Sequence, residues 1–432
     1  MIGHAERPAV YAFNGPDTFL LILDQLMLKS SGRGNICHLL VTLDEPVATL
    51  QIQAALDENT TYQWMCTLRA QGGSWFKPPR WAVDQRARAY PVPFYLLADT
   101  NALELIARLR MINPRRESPF QVQLLGQKDT TTQILITWHH ALMDAHGAEL
   151  FVAHIGQSLA SKPVFFDPNP DVPDHSQWRN TLKIKESLDE ISHLPFMSTY
   201  SGRGRSRPVV RHQVIALTEK QTGAVDEKIT ATGAQINKSL FYLAACARAV
   251  RHIVTERGGT ADDVVVSVPQ DRRRRGTAGP MLSNQVTFLF YRISAAGLDS
   301  LKGTVTSLSE QMMDLMRQDF PARFHRMMLL CRHLPPFIYR HMIQQPTGKR
   351  MASFFISDTG QSLDRFETFL GAPVKNAIHY PPNMYPPGLT FIFARYKGRL
   401  SVTITTMEEE LDDVESEALV AALKTELVTP AE

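Results

Sequence analysis

WHHALMDAHG, residues 138–147, brings three histidines and one carboxylate into a single short run. The stretch that leads into it, TTQILITWHH (131–140), is β-rich. As a strand its side chains alternate faces, so His139 and His140 point in opposite directions and only one of them meets a given cavity. Ala145 and Gly147 are small, turn-tolerant residues that hand the chain to a following helix. A histidine at a strand end beside a turn is a good platform for a general base, because an imidazole of unperturbed pKa near about 6.5 accepts a proton at neutral pH. The same residues carry two other readings. His140 and Asp144 would share a helical face at i, i+4 and suit a metal, but HExxH is absent and no third ligand is marked. Ordinary packing, with a satisfied core histidine and Asp144 capping the next helix, is the favoured reading of HxxxD by itself.

Outward from the motif, strands and helices mix on both sides. NICHLLVTLD (35–44) reads as a strand, VATLQIQAAL (47–56) as a helix and GAELFVAHIGQSLA (147–160) as the helix after the motif. Further on, KSLFYLAACARAVRHIVTERGG (238–259) is a long helix ended by glycine, and DDVVVSVPQD (262–271) is a β-branched strand stopped by Pro269. LTFIFARYKGRLSVTIT (389–405) reads as a hairpin turning at Lys397 and Gly398, and a helix runs through EALVAAL (417–423). Two segments read as connections: FDPNPDVPDHSQW (166–178) and SGRGRSRP (201–208). Between them, residues 176–194 space Leu182, Ile184, Leu188 and Ile191 as a helix does. The pattern predicts two α/β lobes of similar size, residues 1–175 and 209–432, with a linking region over 176–208.

Composition excludes several classes of function. The 432 residues are 44% hydrophobic and 21% charged, ordinary for a globular protein and long enough for a sizeable core. A net charge of +3 argues against a nucleic-acid partner, and no Walker or dinucleotide-type glycine loop is present. The scattered Cys37, Cys66, Cys246 and Cys331 form no CxxC pair, which suits a reducing, cytoplasmic setting. No secretory leader is expected of MIGHAERPAVYAF, and FLLILDQLMLK (19–29), interrupted by Asp24, is too short to span a bilayer. Peripheral contact with a membrane surface stays open, since it needs only a basic or amphipathic face.

HHALMDAHG resembles the HHxxxDG motif of the chloramphenicol acetyltransferase-like superfamily, which includes condensation enzymes, polyketide-associated acyltransferases and the wax ester synthase/diacylglycerol acyltransferase family. Text on both sides agrees in order: INPRRESPFQVQLLG (112–126), VPQDRRRRGTAGPMLSNQVTFLF (268–290), FFISDTG (354–360) and PPGLTFIFARYKGRLSVTIT (386–405) resemble the wax ester synthase group. The resemblance implies an α/β fold of two chloramphenicol acetyltransferase-like lobes, each a mixed sheet with packed helices, and an active site in a tunnel between them. It implies that His140 is the general base for direct acyl transfer from a thioester to an alcohol, and that His139 is structural. It pairs Asp144 with Arg273 as a structural anchor, leaving Arg272, Arg274 and Arg275 as a solvated basic turn. Gly147 belongs to the shape of the loop. Asn284 either shapes the site or polarises the thioester carbonyl, its bland reading being a turn asparagine; Ser357 either lines the tunnel or is a loop serine.

Three departures stand against the pattern: Ala145 for glycine after Asp144, Ser283 for glycine before Asn284, and Asp358 for asparagine. If those glycines need positive φ, Ala145 and Ser283 add strain that Gly147 partly offsets. The implied partners are an acyl-CoA or an acyl carrier protein, whose phosphopantetheine is substrate and not a resident cofactor, and an alcohol or amine acceptor; no metal is expected. An amide-forming, carrier-protein-dependent condensation enzyme and a catalytically silent scaffold are the competing readings. Residues 312–350, rich in Met, Leu and Arg, read either as a pair of amphipathic helices with solvated arginines or as a lipid channel wall with basic residues for phosphates.

Overall fold

The computed structural model describes residues 9–429 except 74–76, 90–91, 110, 157–177, 194, 201–208, 261, 274–278 and 345–349. The two connecting segments up to residue 177 and over 201–208 therefore lie outside the described residues, as do Arg274, Arg275 and the end of the helix expected over 147–160. The N-terminal half runs β1 (Val10–Ala12), α1 (Gly15–Ser31), β2 (Ile36–Ala48), α2 (Thr49–Glu58), α3 (Thr60–Thr67), β3 (Leu68–Gln71), β4 (Arg80–Val83), β5 (Phe94–Leu96), α4 (Ala102–Arg108), β6 (Phe120–Gln127), β7 (Thr130–His139) and α5 (Ala145–Ile155). After it come α6 (Trp178–Ser192), β8 (Val210–Ala216), α7 (Glu219–Ala231), α8 (Lys238–Glu256), β9 (Val264–Asp271), β10 (Val286–Ile293), α9 (Leu301–Arg317), α10 (Phe320–Cys331) and α11 (Pro336–Gln344). The chain closes with β11 (Phe355–Asp358), β12 (Thr368–Phe369), β13 (Ala372–Tyr380), β14 (Leu389–Tyr396), β15 (Arg399–Met407) and α12 (Asp413–Val428).

The motif strand β7 is central in a sheet of order β12-β13-β2-β7-β6-β5, antiparallel except where β5 meets β6. Consecutive residues of β2 and β7, such as Leu39, Leu40 and Val41, are all buried because both faces of the sheet are covered. One face packs Leu39, Ile134, Ile136 and Trp138 against α5, and the other packs Leu40, Leu125, Leu135 and Tyr380. β12 and β13 come from the C-terminal half of the chain and cross over to complete this sheet.

The second sheet has the order β11-β14-β15-β8, mixed because β11 lies parallel to β14. β14 and β15 form the hairpin read from the sequence, turning at Lys397 and Gly398, whose positive φ values of 47° and 73° supply the backbone twist that a two-residue turn needs. α8 is buried along almost its whole length, and Gly258 follows it with φ 74°. Pro269 does not stop β9: the strand continues to Asp271, with Pro269 opposite Phe288 on β10. In this two-stranded ladder the missing N–H of proline falls on an edge and removes no bond.

α1 is the wall shared by the two cores. Leu20, Leu21 and Leu23 belong to the N-terminal cluster, whereas Ile22 belongs to the C-terminal one. Asp24, which interrupts the apolar run in the sequence, is buried and accepts the Asn35 N–H at 2.8 Å, tying α1 to the start of β2. α6 packs Ile184 and Leu188 into the C-terminal core. Among the described residues no helix is long and apolar enough to cross a membrane. The described residues of 312–350 build parts of three helices and not a pair: Met327, Met328 and Met342 turn inward, whereas Met313 and Met316 are exposed.

Candidate active site

The turn after β7 is held by Asp144. Its Oδ1 accepts the Gly147 N–H at 2.9 Å and so caps α5, while Oδ2 accepts the Gln285 N–H at 2.9 Å. Arg273 completes the arrangement with a two-pronged pair, Nη1 to Oδ2 at 2.9 Å and Nη2 to Oδ1 at 3.0 Å. Burial pushes the Asp144 carboxyl up, but the Arg273 charge and these hydrogen bonds outweigh it and hold the group below its ordinary range. Gly147 is required by space and not by φ, because a Cβ there would sit 2.1 Å from the Met281 carbonyl oxygen. Ala145 is the first residue of α5 and has no positive φ, so the strain expected of it is absent. Ser283 does carry the left-handed backbone, φ 82°, and offsets it by accepting a 2.7 Å hydrogen bond from Asn14 Nδ2.

The two histidines diverge. His139 is fully buried, its Nδ1 accepts the Ala141 N–H at 3.2 Å, and its Nε2 lies 3.3 Å from Asp24 Oδ1. His140 is half-buried and lines a cavity, and its backbone N–H donates to the Asn35 carbonyl at 2.9 Å. Burial lowers the His140 pKa from its ordinary value; its own carbonyl, the Asp144 charge and Asn284 oppose this. Burial thus favours the neutral ring, the form that accepts a proton.

Asn284 is fully buried and not a surface turn residue. Its Nδ2 donates to the His140 carbonyl at 2.9 Å and to Asp17 Oδ1 at 2.8 Å, which leaves no Nδ2 hydrogen for a thioester carbonyl. Asp17, in the first turn of α1, was not singled out in the sequence. The clue that existed was Asn14 three residues before it, the pattern of a capping box.

The cavity has a volume of about 370 Å³ and runs between the two cores. Phe19, Leu23 and Met27 of α1 line it together with Phe288, Phe290, Phe324, Met327 and Met328 from the C-terminal half, the Phe19 and Phe288 rings meeting at 5.5 Å between centroids. Polar groups are few against this apolar lining, which is the usual make-up of a small-molecule site: His140, Ser357 and Asp358 are among them. Asp358 accepts from Ser239 Oγ at 2.8 Å and from the Gly360 N–H at 2.9 Å, and burial holds its carboxyl above the ordinary range. Arg272 turns away from the site to His325 at 2.7 Å. No group of three metal-ligating side chains occurs among the described residues.

With that geometry in place, comparison with solved structures is decisive for the architecture. The first condensation domain of the calcium-dependent antibiotic synthetase, solved with a substrate analogue, superposes with a TM-score of 0.67 at 15% identity, covering 98% of this chain and 98% of that one. The fold is the two-lobed condensation-domain fold. The trichothecene 15-O-acetyltransferase from Fusarium sporotrichioides matches with a TM-score of 0.71 at 12% identity over 99% and 97% of the two chains. A starter condensation domain of rhizomide synthetase, solved with C8-CoA and Leu-SNAC, matches at 0.62 and 15% identity over 98% and 95%. No family model and no curated protein sequence matches the chain.

Proposed function

We propose that this protein is an acyltransferase that moves an acyl group from a thioester, acyl-CoA or acyl carrier protein, to an alcohol, with His140 as general base. The observation that carries the reading is the position of the His140 imidazole on the wall of a large apolar cavity between the lobes. The acceptor hydroxyl gives its proton to His140 as its oxygen bonds to the thioester carbonyl carbon; the C–S bond then breaks and the thiolate takes the proton back from the imidazolium. Transfer is direct. The thiols that line the cavity, Cys37 and Cys331, are pushed up by burial, to about 12 for Cys331, and are not nucleophilic thiolates at neutral pH. The apolar walls supply room for an acyl chain, and Asp144 with Arg273 keeps the turn that presents His140 in shape.

An amine acceptor is the second reading, supported by the likeness to condensation domains. Incubation with acyl-CoA and acyl carrier protein donors against a panel of alcohols and amines, with products identified by mass spectrometry, separates the two. Ester products support the proposal, amide products alone replace it with the second reading, and an absence of product with every pair points to a binding scaffold.

A further inference from the structure

His38 lies on β2, opposite Thr137 of β7. It is one of the few polar residues lining the cavity, and only 7% of its surface is left open. The sheet accounts for one of its two ring nitrogens. Nδ1 is 2.9 Å from Thr137 Oγ1, and that hydroxyl gives its hydrogen to Gln123 Oε1 at 3.2 Å. Gln123 is oriented in turn by its Nε2, which donates to Gln121 Oε1 at 3.2 Å. A hydroxyl has a single hydrogen to give, so His38 Nδ1 is the donor to Thr137. Donation thus runs one way, from His38 through Thr137 to Gln123, and neither Thr137 nor Gln123 lines the cavity. The ring is held as the Nδ1–H tautomer.

Nε2 is left with a free lone pair. No described residue hydrogen-bonds to it, yet it is not sealed inside protein as Trp81 Nε1 and Thr406 Oγ1 are. Burial, and after it the neighbouring His212, push the His38 pKa down to about 3, which makes the ring a poor base that stays neutral. A neutral imidazole fixed in this tautomer has one service to offer a ligand, the acceptance of a hydrogen bond. In an apolar cavity such an acceptor favours a ligand that brings a donor over one that covers it with hydrocarbon. Asn35, whose carbonyl receives the His140 N–H, is three residues before His38 along the chain, so the two histidines stand roughly 10 Å apart at the strand rise.

We propose that His38 is a specificity-determining residue of the cavity, its Nε2 accepting a hydrogen bond from a neutral O–H or N–H of the bound substrate, remote from the bond on which His140 acts. Which molecule carries that group depends on the acyltransferase reading; the state of the ring does not.

The test has two arms, both on the full chain. With ¹⁵N-labelled histidine, the His38 signals being assigned by their loss in His38→Gln, wild type shows the Nδ1–H tautomer and keeps it from about pH 8 to about pH 5. An Nε2–H tautomer, or protonation near the ordinary histidine pKa, overturns the proposal. The second arm compares kcat/KM within three matched pairs: a long-chain α,ω-diol against the mono-alcohol of equal length, a hydroxyacyl-CoA against the plain acyl-CoA, and an acyl N-acetylcysteamine thioester against an acyl butanethiol thioester, which lacks the amide N–H. In at least one pair wild type prefers the partner with the extra donor by about five- to tenfold, His38→Leu abolishes the preference, and His38→Gln, whose amide oxygen also accepts, retains it. The pair that responds names the molecule that His38 reads. No preference in any pair of the wild type overturns the proposal whether or not the variants fold, and so does a preference that survives in His38→Leu. If no pair is turned over, the acyltransferase reading fails, and His38 is judged by its Nε2 resonance: displacement by the diol and not by the mono-alcohol upholds the proposal, and equal response to both overturns it.

Discussion

Replacing Arg273 by methionine tests the structural anchor of the site. The two side chains are 3% and 8% exposed, so solvent does little to screen the pair, and the substitution strands the Asp144 carboxylate with two backbone N–H donors only. Removing one partner of a buried pair costs about 3 to 5 kcal/mol, because the other charge is left uncompensated. The pH dependence has a definite sign. Asp144 has a folded pKa below its unfolded value of about 3.9, so its stabilisation is present above that value and is lost as pH falls through the folded pKa. Urea unfolding of wild type and Arg273→Met should therefore differ most near neutrality, with the gap narrowing below about pH 4. Cation removal should also distort the turn before α5 and lower kcat. A difference under about 1 kcal/mol at pH 7 would refute the reasoning, placing the pair with surface ion pairs of little worth.

Ser283→Gly should change stability by less than about 1 kcal/mol, since relief of a left-handed serine is offset by the lost Asn14 bond, and activity should persist; a large loss measured by thermal unfolding would mean the serine hydroxyl does more than support the turn. Met342→Trp fills cavity space from α11, where the methionine is partly buried. At about 0.8 kcal/mol per buried methylene, the longest acyl donors should lose at least about tenfold in kcat/KM and the shortest little; an equal loss at every chain length in a donor series would detach that wall from the acyl chain.

The elements around the motif were legible because their patterns are local. The β7 run, the long apolar α8 and the Lys397 and Gly398 turn each follow from periodicity or from backbone φ, and the structure has them where the sequence suggests. Pro269 misled because a proline on an edge strand removes no ladder bond, a fact about neighbours. Asp24 read as a break in an apolar run, yet it turns inward to serve Asn35 and His139, partners distant along the chain. The crossing of β12 and β13 into the N-terminal sheet is likewise a matter of tertiary pairing. At the site, strand alternation separated His139 from His140, and the resemblance brought Asp144 and Arg273 to attention. Asp17 stayed hidden because its importance lies in contacts across 267 positions of sequence. Glycine logic was half right: the positive φ belongs to Ser283 and not to Ala145, which is an ordinary first helical residue.

Thiol release under single-turnover conditions, comparing wild type with His140→Ala across pH on an acyl donor and acceptor pair that the wild type turns over, tests the central claim most directly. Wild type should lose activity on the acid side only below the ordinary histidine pKa of about 6.5, because burial lowers that of His140, and the variant should be slower by about a hundred- to ten-thousandfold. Equal rates for the two proteins would contradict the assignment of His140 as the base.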